Sequence, residues 1–237
     1  MPRQRRPDSN RLLEQLPAGD RDALTRLCEP VTLDFGAVLA RPDALIRHVY
    51  FPLTCFISVM VPADRGESLE VGLIGNEGML GGTISLGVDS APLRALVQGA
   101  GRALRMTAAH FRRELERRPK LERAVTRYCY VLLRQVSQTA ACTRFHTIEE
   151  RLARWLLMTQ DRASGAEYHL TQAFLAQMLG VRRVGVTQAA STLQARGFIG
   201  YRRGEVVISD RAGLRAASCV CYTKDRRLYK RTMGRSL

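Results

Sequence analysis

The residues best placed to do chemistry lie between Leu170 and Ile199, in the run LTQAFLAQMLGVRRVGVTQAASTLQARGFI. Arg183 and Gln188 sit on a stretch whose Val186, Ala190 and Leu193 recur at helical spacing. An arginine fork can hydrogen-bond guanine O6 and N7 together, and a glutamine amide does the same for adenine N6 and N7. Arg182, Thr187 and Gln194 share the outward, polar side of that stretch. Ahead of it, Phe174, Leu175 and Met178 give a shorter helix its apolar side, and Thr171 can cap it. Gly180 stands between the two, where a tight turn needs positive φ. Two short helices joined this way form a helix-turn-helix, whose second helix can lie in the major groove of DNA. An ordinary helical hairpin with a solvated polar face has the same pattern.

The residues that follow separate the two readings. Phe198 to Ile208 reads as two short strands around Arg202-Arg203-Gly204. A hairpin directly after a recognition helix is the wing of a winged helix, and Arg202 and Arg203 at its tip suit phosphate or minor-groove contact.

The rest of the chain must position these groups. Thr147-Ile-Glu-Glu150 is a capping box opening a helix with Ile148, Leu152, Trp155 and Leu156 on one side, fading at Ser164-Gly165. Residues 119–143 predict one long helix, with Leu121, Val125, Tyr128, Leu132, Gln135 or Val136, and Thr139 at three- and four-residue steps. That stripe can pack on its own domain or pair with a second copy, as in a coiled coil. Residues 108–117 read as a short helix stopped near Pro119. Strands are expected near Val31–Leu33, Ala37–Ala40, His48–Phe51, Phe56–Val61, Leu69–Ile74, Leu93–Gln98 and Arg102–Met106. Turns are expected at Gly36, Pro42-Asp43, Asp64-Arg65-Gly66, Gly75-Asn76 and Gly99, and so many short strands suggest a sandwich or barrel. Residues 10–28 suggest one or two short helices, the second capped by Asp20.

Charge follows the same division. The 237 residues carry a formal net charge of +15, and residues 144–237, with 17 basic and 7 acidic side chains, supply +10 of it. That surplus favours a polyanionic partner, nucleic acid or an anionic membrane surface, met by the C-terminal part. The basic run Lys224 to Arg231 could hold anionic lipid, but reads more simply as a solvated tail adding non-specific DNA affinity. No membrane span is expected: the longest apolar-leaning stretch, Val49 to Val61, is 13 residues with Pro52 inside it, against about 20 needed. The basic first residues lead into no apolar core, so a secretory signal is not expected and a cytoplasmic location follows.

An enzyme is not expected. A cupin-like barrel would need His and Glu at metal spacing on strands, and no P-loop, GxSxG or paired catalytic carboxylate stands out. Cys28, Cys55, Cys129, Cys142, Cys219 and Cys221 are scattered. Only Cys219-x-Cys221 is close-spaced, with no second pair or His at zinc-finger spacing, so these read as buried reduced thiols with no metal site.

Taken together, HVYFP at His48–Pro52, IGNEGMLGG at Ile74–Gly82, the long helix, and LAQMLGVRR…T…L…GFI at Leu175–Ile199 resemble the Crp/Fnr family of bacterial transcription regulators over most of the chain. The resemblance implies an α+β fold: an antiparallel β-roll or jelly-roll of the cyclic-nucleotide-binding type in residues 1–118, a dimerisation helix in 119–143, and a winged helix-turn-helix in 144–237. It implies a homodimer on a two-fold symmetric double-stranded DNA site, with Leu121, Val125, Tyr128, Leu132 and Val136 at the dimer interface, and it admits RNA polymerase as a further partner. It places Arg183 and Gln188 where the family reads bases and Thr171 where it contacts phosphate. Val184 departs from the acidic residue common there, which puts the usual family target sequence in doubt. Nucleotide-binding members have a Gly-Glu pair for the ribose and an Arg with a small neighbour for the cyclic phosphate. Here Gly78 is followed by Met79, which has no carboxylate, while Arg94-Ala95 keeps the phosphate end. Gly78, Arg94 and Ala95 are therefore the candidate effector residues, but cyclic nucleotide is not expected and no cofactor is assigned. The cysteine cluster of iron–sulfur members is missing, since only Cys28 precedes Cys55, and nothing marks His48, His110, His146 or His169 as a haem ligand.

Overall fold

The computed structural model describes residues 8–63, 68–163 and 167–234. The turn expected at Asp64-Arg65-Gly66, the helix end expected at Ser164-Gly165 and the basic residues 1–7 lie outside these. The fold is α+β, with antiparallel sheets, and the chain divides into two compact units.

The first unit comprises Met1–Val59 and Ile74–Leu132. It holds α1 (Ala18–Leu27), β1 (Glu29–Leu33), β2 (Val38–Ala40), β3 (His48–Pro52), most of β4 (Phe56–Pro62), β6 (Arg94–Gly99), β7 (Gly101–Thr107), α2 (Ala108–Arg117) and the start of α3 (Pro119–Phe145). β5 (Ser68–Ile74) ends at its edge. All seven strands fall where alternation and turn residues predict them. β7 lies between β1 and β3, antiparallel to both, in one sheet; the other runs β2-β6-β4-β5. Leu33, Cys55, Val97 and Ala103 fill the core between strands, and Phe51 meets Phe111 of α2 edge-on at 6.1 Å. Burying each such aromatic contributes about 1.5–3 kcal/mol.

Two local devices differ from the sequence expectation. Asp20 does not cap α1: Pro17 holds the N-cap position, and the Asp20 carboxylate, one turn in, pairs with Arg118 Nε at 3.3 Å. Proline suits a helix start because it has no amide hydrogen to leave unpaired. In α3, Leu121, Val125 and Tyr128 are fully buried inside the first unit. The hydroxyl end of the Tyr128 ring packs on Gly78, so that a side chain at Gly78 would run into it.

The second unit comprises Met60–Leu73 and Leu133–Leu237. Its centre is α4 (Ile148–Gln160), buried from Arg151 to Thr159. The capping box forms as expected, with the Glu150 carboxylate accepting from the Thr147 amide at 2.8 Å. That amide bond, more than any other contact, holds the Glu150 carboxyl below its usual range. Around α4 stand β8 (Glu167–His169), α5 (Gln172–Leu179), α6 (Arg183–Ala195), β9 (Ile199–Arg202), β10 (Glu205–Ile208), α7 (Arg211–Ala217) and α8 (Val220–Met233). β5 belongs here through its outer residues. Trp155 donates its indole N–H to Glu70 at 2.9 Å, Gln177 donates to Ser68 at 2.9 Å, and Gln135 accepts from the Leu73 amide at 2.9 Å. The second unit thus takes in Ser68, Glu70 and Leu73 of β5 as well as the helices from Leu133 onward. Among the described residues no helix is long and apolar enough to cross a membrane.

Candidate nucleic-acid interface

α5 and α6 owe their relative placement to the turn between them. Thr171 is the N-cap of α5, its hydroxyl accepting from the Phe174 amide at 3.1 Å. Gly180 ends α5 in the left-handed region at φ 60°, and a β-carbon there would press on Leu69. α6 begins after Arg182 with Val186, Ala190 and Leu193 buried. Arg182 at the N-cap offers no side-chain acceptor to the first amides of α6. They remain available to a phosphate oxygen at the positive end of the helix.

The outward side of α6 divides by what each side chain does. Arg182, Arg183 and Gln188 are exposed and make no side-chain hydrogen bond or ion pair with any described residue. Arg183 lies close enough to Tyr201 to oppose the upward push that burial gives that phenol. Thr187 is turned inward instead, its single hydroxyl hydrogen shared between the Gln172 side-chain oxygen at 2.8 Å and the Arg183 carbonyl at 3.1 Å, so it braces α6 against α5. Gln194 accepts from the Tyr201 amide at 3.2 Å and ties the helix to the wing. Val184 is 61% exposed on the same side, an apolar surface suited to a thymine methyl group.

The wing is β9 and β10, paired from Ile199 with Ile208 to Arg202 with Glu205. Its tip is a two-residue turn with Arg203 at φ 53° and Gly204 at φ 85°. Two positive φ values in succession are the signature of the turn that best matches the twist of paired strands. Arg202 and Arg203 are exposed at that tip. β8 adds a third strand on β10, from Glu205 with His169 to Val207 with Glu167, which the sequence reading did not foresee. Tyr201 donates to the Leu170 carbonyl at 2.7 Å, fixing the wing beside the start of α5.

The other candidate residues lie elsewhere. In the first unit, Gly78 is buried under Tyr128, and its carbonyl accepts from Asn10 at 2.8 Å. Met79 is fully buried in the core. Ala95 is buried on β6 beside Arg94, whose Nε is buried with no hydrogen-bond partner among the described residues. Of the α3 stripe, Leu132 and Val136 are half-buried, while Leu121, Val125 and Tyr128 serve their own core. The opposite side of α3 exposes Tyr130 and Leu133, 46% and 62% accessible, with Ser137 and Ala140 following at helical steps.

One grouping escaped the sequence reading. Cys142, His146, Cys219 and Cys221 converge in the second unit, their ligand atoms all within 4.8 Å of one another. The visible signal was Cys142-x-x-x-His146, which puts both on one helix face; the matching pair lies over seventy residues away in sequence. Cys28 and Cys55 are isolated, and burial pushes their thiols up to about 12 and about 11, as expected of inert thiols.

Residues 150–217 match the family model of the Crp-like helix-turn-helix domain. No curated protein matches the chain by sequence. Solved structures share its fold. The c-di-GMP-responsive global regulator CLP of Xanthomonas campestris is 16% identical, with a TM-score of 0.66 over 81% of this chain and 99% of its own. FixK2 of Bradyrhizobium japonicum is 15% identical, with a TM-score of 0.66 over 81% and 98%. A Crp/Fnr-family transcriptional regulator of Thermus thermophilus is 18% identical, with a TM-score of 0.64 over 80% and 98%.

Proposed function

We infer that this chain, which has the fold of the Crp/Fnr regulators and a Crp-like helix-turn-helix domain in residues 150–217, is a cytoplasmic transcription regulator that binds a two-fold symmetric DNA site as a homodimer. One observation carries the reading: Arg182, Arg183 and Gln188 stand exposed on α6 without internal partners, beside the exposed Arg202 and Arg203 of the wing. Side chains rich in hydrogen-bond donors and left uncommitted on a rigid helix suit an external acceptor. Arg183 and Gln188 read base edges, the wing arginines and the first amides of α6 hold phosphates, and Thr171 can donate its hydroxyl hydrogen to a phosphate while still capping α5. The protein has no catalytic role in this reading, and the family resemblance admits RNA polymerase as a further partner.

The homodimer forms along α3. Leu121, Val125 and Tyr128 are occupied in their own unit, so the seam runs along Tyr130, Leu133, Ser137 and Ala140, with Leu132 and Val136 behind it. No cyclic nucleotide acts as effector, because Met79 offers the ribose no carboxylate and Tyr128 covers Gly78.

Selection from random duplex DNA by the purified protein, at physiological salt and without ligand, tests this. Enrichment of a palindrome with half-sites one helical turn apart, about 34–36 Å, is expected. Binding that is only non-specific and salt-sensitive, both without ligand and with cell extract, would remove the regulator reading. Heat of binding on titration with cyclic AMP or cyclic GMP would restore the nucleotide.

A further inference from the structure

We propose that Cys142, His146, Cys219 and Cys221 form a four-ligand site for a single thiophilic divalent cation, Zn(II) by preference, that fastens the end of α3 to the start of α8. The site stands on its own geometry and does not depend on the DNA-binding reading.

Two of the separations match the edges of a tetrahedron around one ion. With zinc bonds of about 2.3 Å to sulfur and about 2.0–2.1 Å to nitrogen, the tetrahedral edges are about 3.8 Å between two sulfurs and about 3.6 Å between sulfur and nitrogen. Cys142 Sγ and Cys219 Sγ are 3.5 Å apart, and Cys221 Sγ and His146 Nδ1 are 3.5 Å apart. A disulfide would need about 2.05 Å, so the sulfurs converge on a common centre without being bonded. Four ligand atoms within 4.8 Å of one another leave room for one ion, not for a cluster of several irons. Three thiolates and an imidazole make a closed donor set, the kind structural zinc takes, and soft thiolates disfavour magnesium and calcium.

The surroundings offer the sulfurs two partners. Cys219 is the N-cap of α8, where the helix presents its positive end. Gln138, one turn before Cys142, donates its amide to Cys221 Sγ at 3.0 Å and acts as an outer-shell partner. A zinc ion with three thiolates carries net −1, and it would lie near Arg154, whose guanidinium also pairs with Asp225 at 2.8 Å.

All four residues lie in the second unit. The cation would cross-link positions on α3 and α8 far apart in sequence and hold the terminal helix against the rest of that unit.

The test is metal analysis of the full-length, reduced protein, with titration of Co(II) into the metal-free form. About one zinc per chain is expected, together with intense visible absorption and thiolate-to-cobalt charge transfer from a tetrahedral site, both displaced by Zn(II). Cys142→Ser and Cys221→Ser should abolish both signals, and Cys28→Ser should leave them unchanged. His146→Gln, at a half-buried position, guards against misfolding and should retain a weaker, spectrally altered cobalt complex. Octahedral-type weak cobalt absorption, no metal bound by folded wild-type protein, or equal binding by Cys142→Ser would overturn the site. So would a Cys142–Cys219 disulfide that forms in air at the same rate with and without Zn(II).

Discussion

Two motifs of this chain carry a recognisable pattern, and the fold treats them oppositely. On α6 and the wing, Arg182, Arg183, Gln188, Arg202 and Arg203 remain exposed, while the apolar residues between them are buried. In the β-roll, the residues of the glycine-rich motif are absorbed: Gly78 lies under Tyr128, Met79 is in the core, and the Glu77 carboxylate folds back onto the Gly75 amide at 3.1 Å. The first region leaves its polar groups at the surface. In the second, the residues of the glycine-rich motif serve packing and internal hydrogen bonds. A family pattern in sequence therefore marks a place in the fold, and only the fate of its polar atoms tells whether the place still binds.

Substitutions can break this contrast. The largest effect is expected from Gly78→Val, whose side chain would collide with Tyr128; overpacking of this kind costs about 3 kcal/mol, read as a lower urea midpoint. An unchanged midpoint would mean that the region has room for a ligand after all. Arg183→Ala should do the reverse. It should weaken binding to the selected site by about 2 kcal/mol and relax preference at one base position, with stability unchanged to within about 0.5 kcal/mol. Equal loss on every sequence would make Arg183 a phosphate contact. Thr171→Ala removes the α5 cap and should lower stability by about 1 kcal/mol, and a fall in affinity beyond the unfolded fraction would show its hydroxyl reaching DNA. The smallest change is that of Arg202→Ala: the slope of log affinity against log salt should shrink by about one, and an unaltered slope would take the wing out of the interface.

Local signals explain what the sequence made legible. The roll strands alternate and are bounded by glycine, proline and aspartate, and the Thr147–Glu150 box is a contiguous motif, so each could be read within a short window. β8 could not, because its three residues are strand only through pairing with β10. The α3 stripe was visible, but its partner was not: periodicity marks Leu121, Val125 and Tyr128 as needing cover, and the cover comes from their own unit. Thr187 looked like a reader because it faces outward by spacing, yet its hydroxyl reaches Gln172. The thiol–imidazole cluster was hidden for a similar reason, since α8 returns to α3 only in the folded chain.

The membership of β5 in the second unit bears on how chains of this fold can be recombined. A chimera joined at residue 144 would inherit the buried Trp155 and the exposed flank of Gly180 from one parent, while Glu70, Ser68 and Leu69 stayed with the other. The helix-turn-helix half is thus not a cassette to be clipped from the end of the chain. Its natural graft has two pieces, the 60–73 segment and everything from residue 133 onward, and its packing passes to a new host when both travel together.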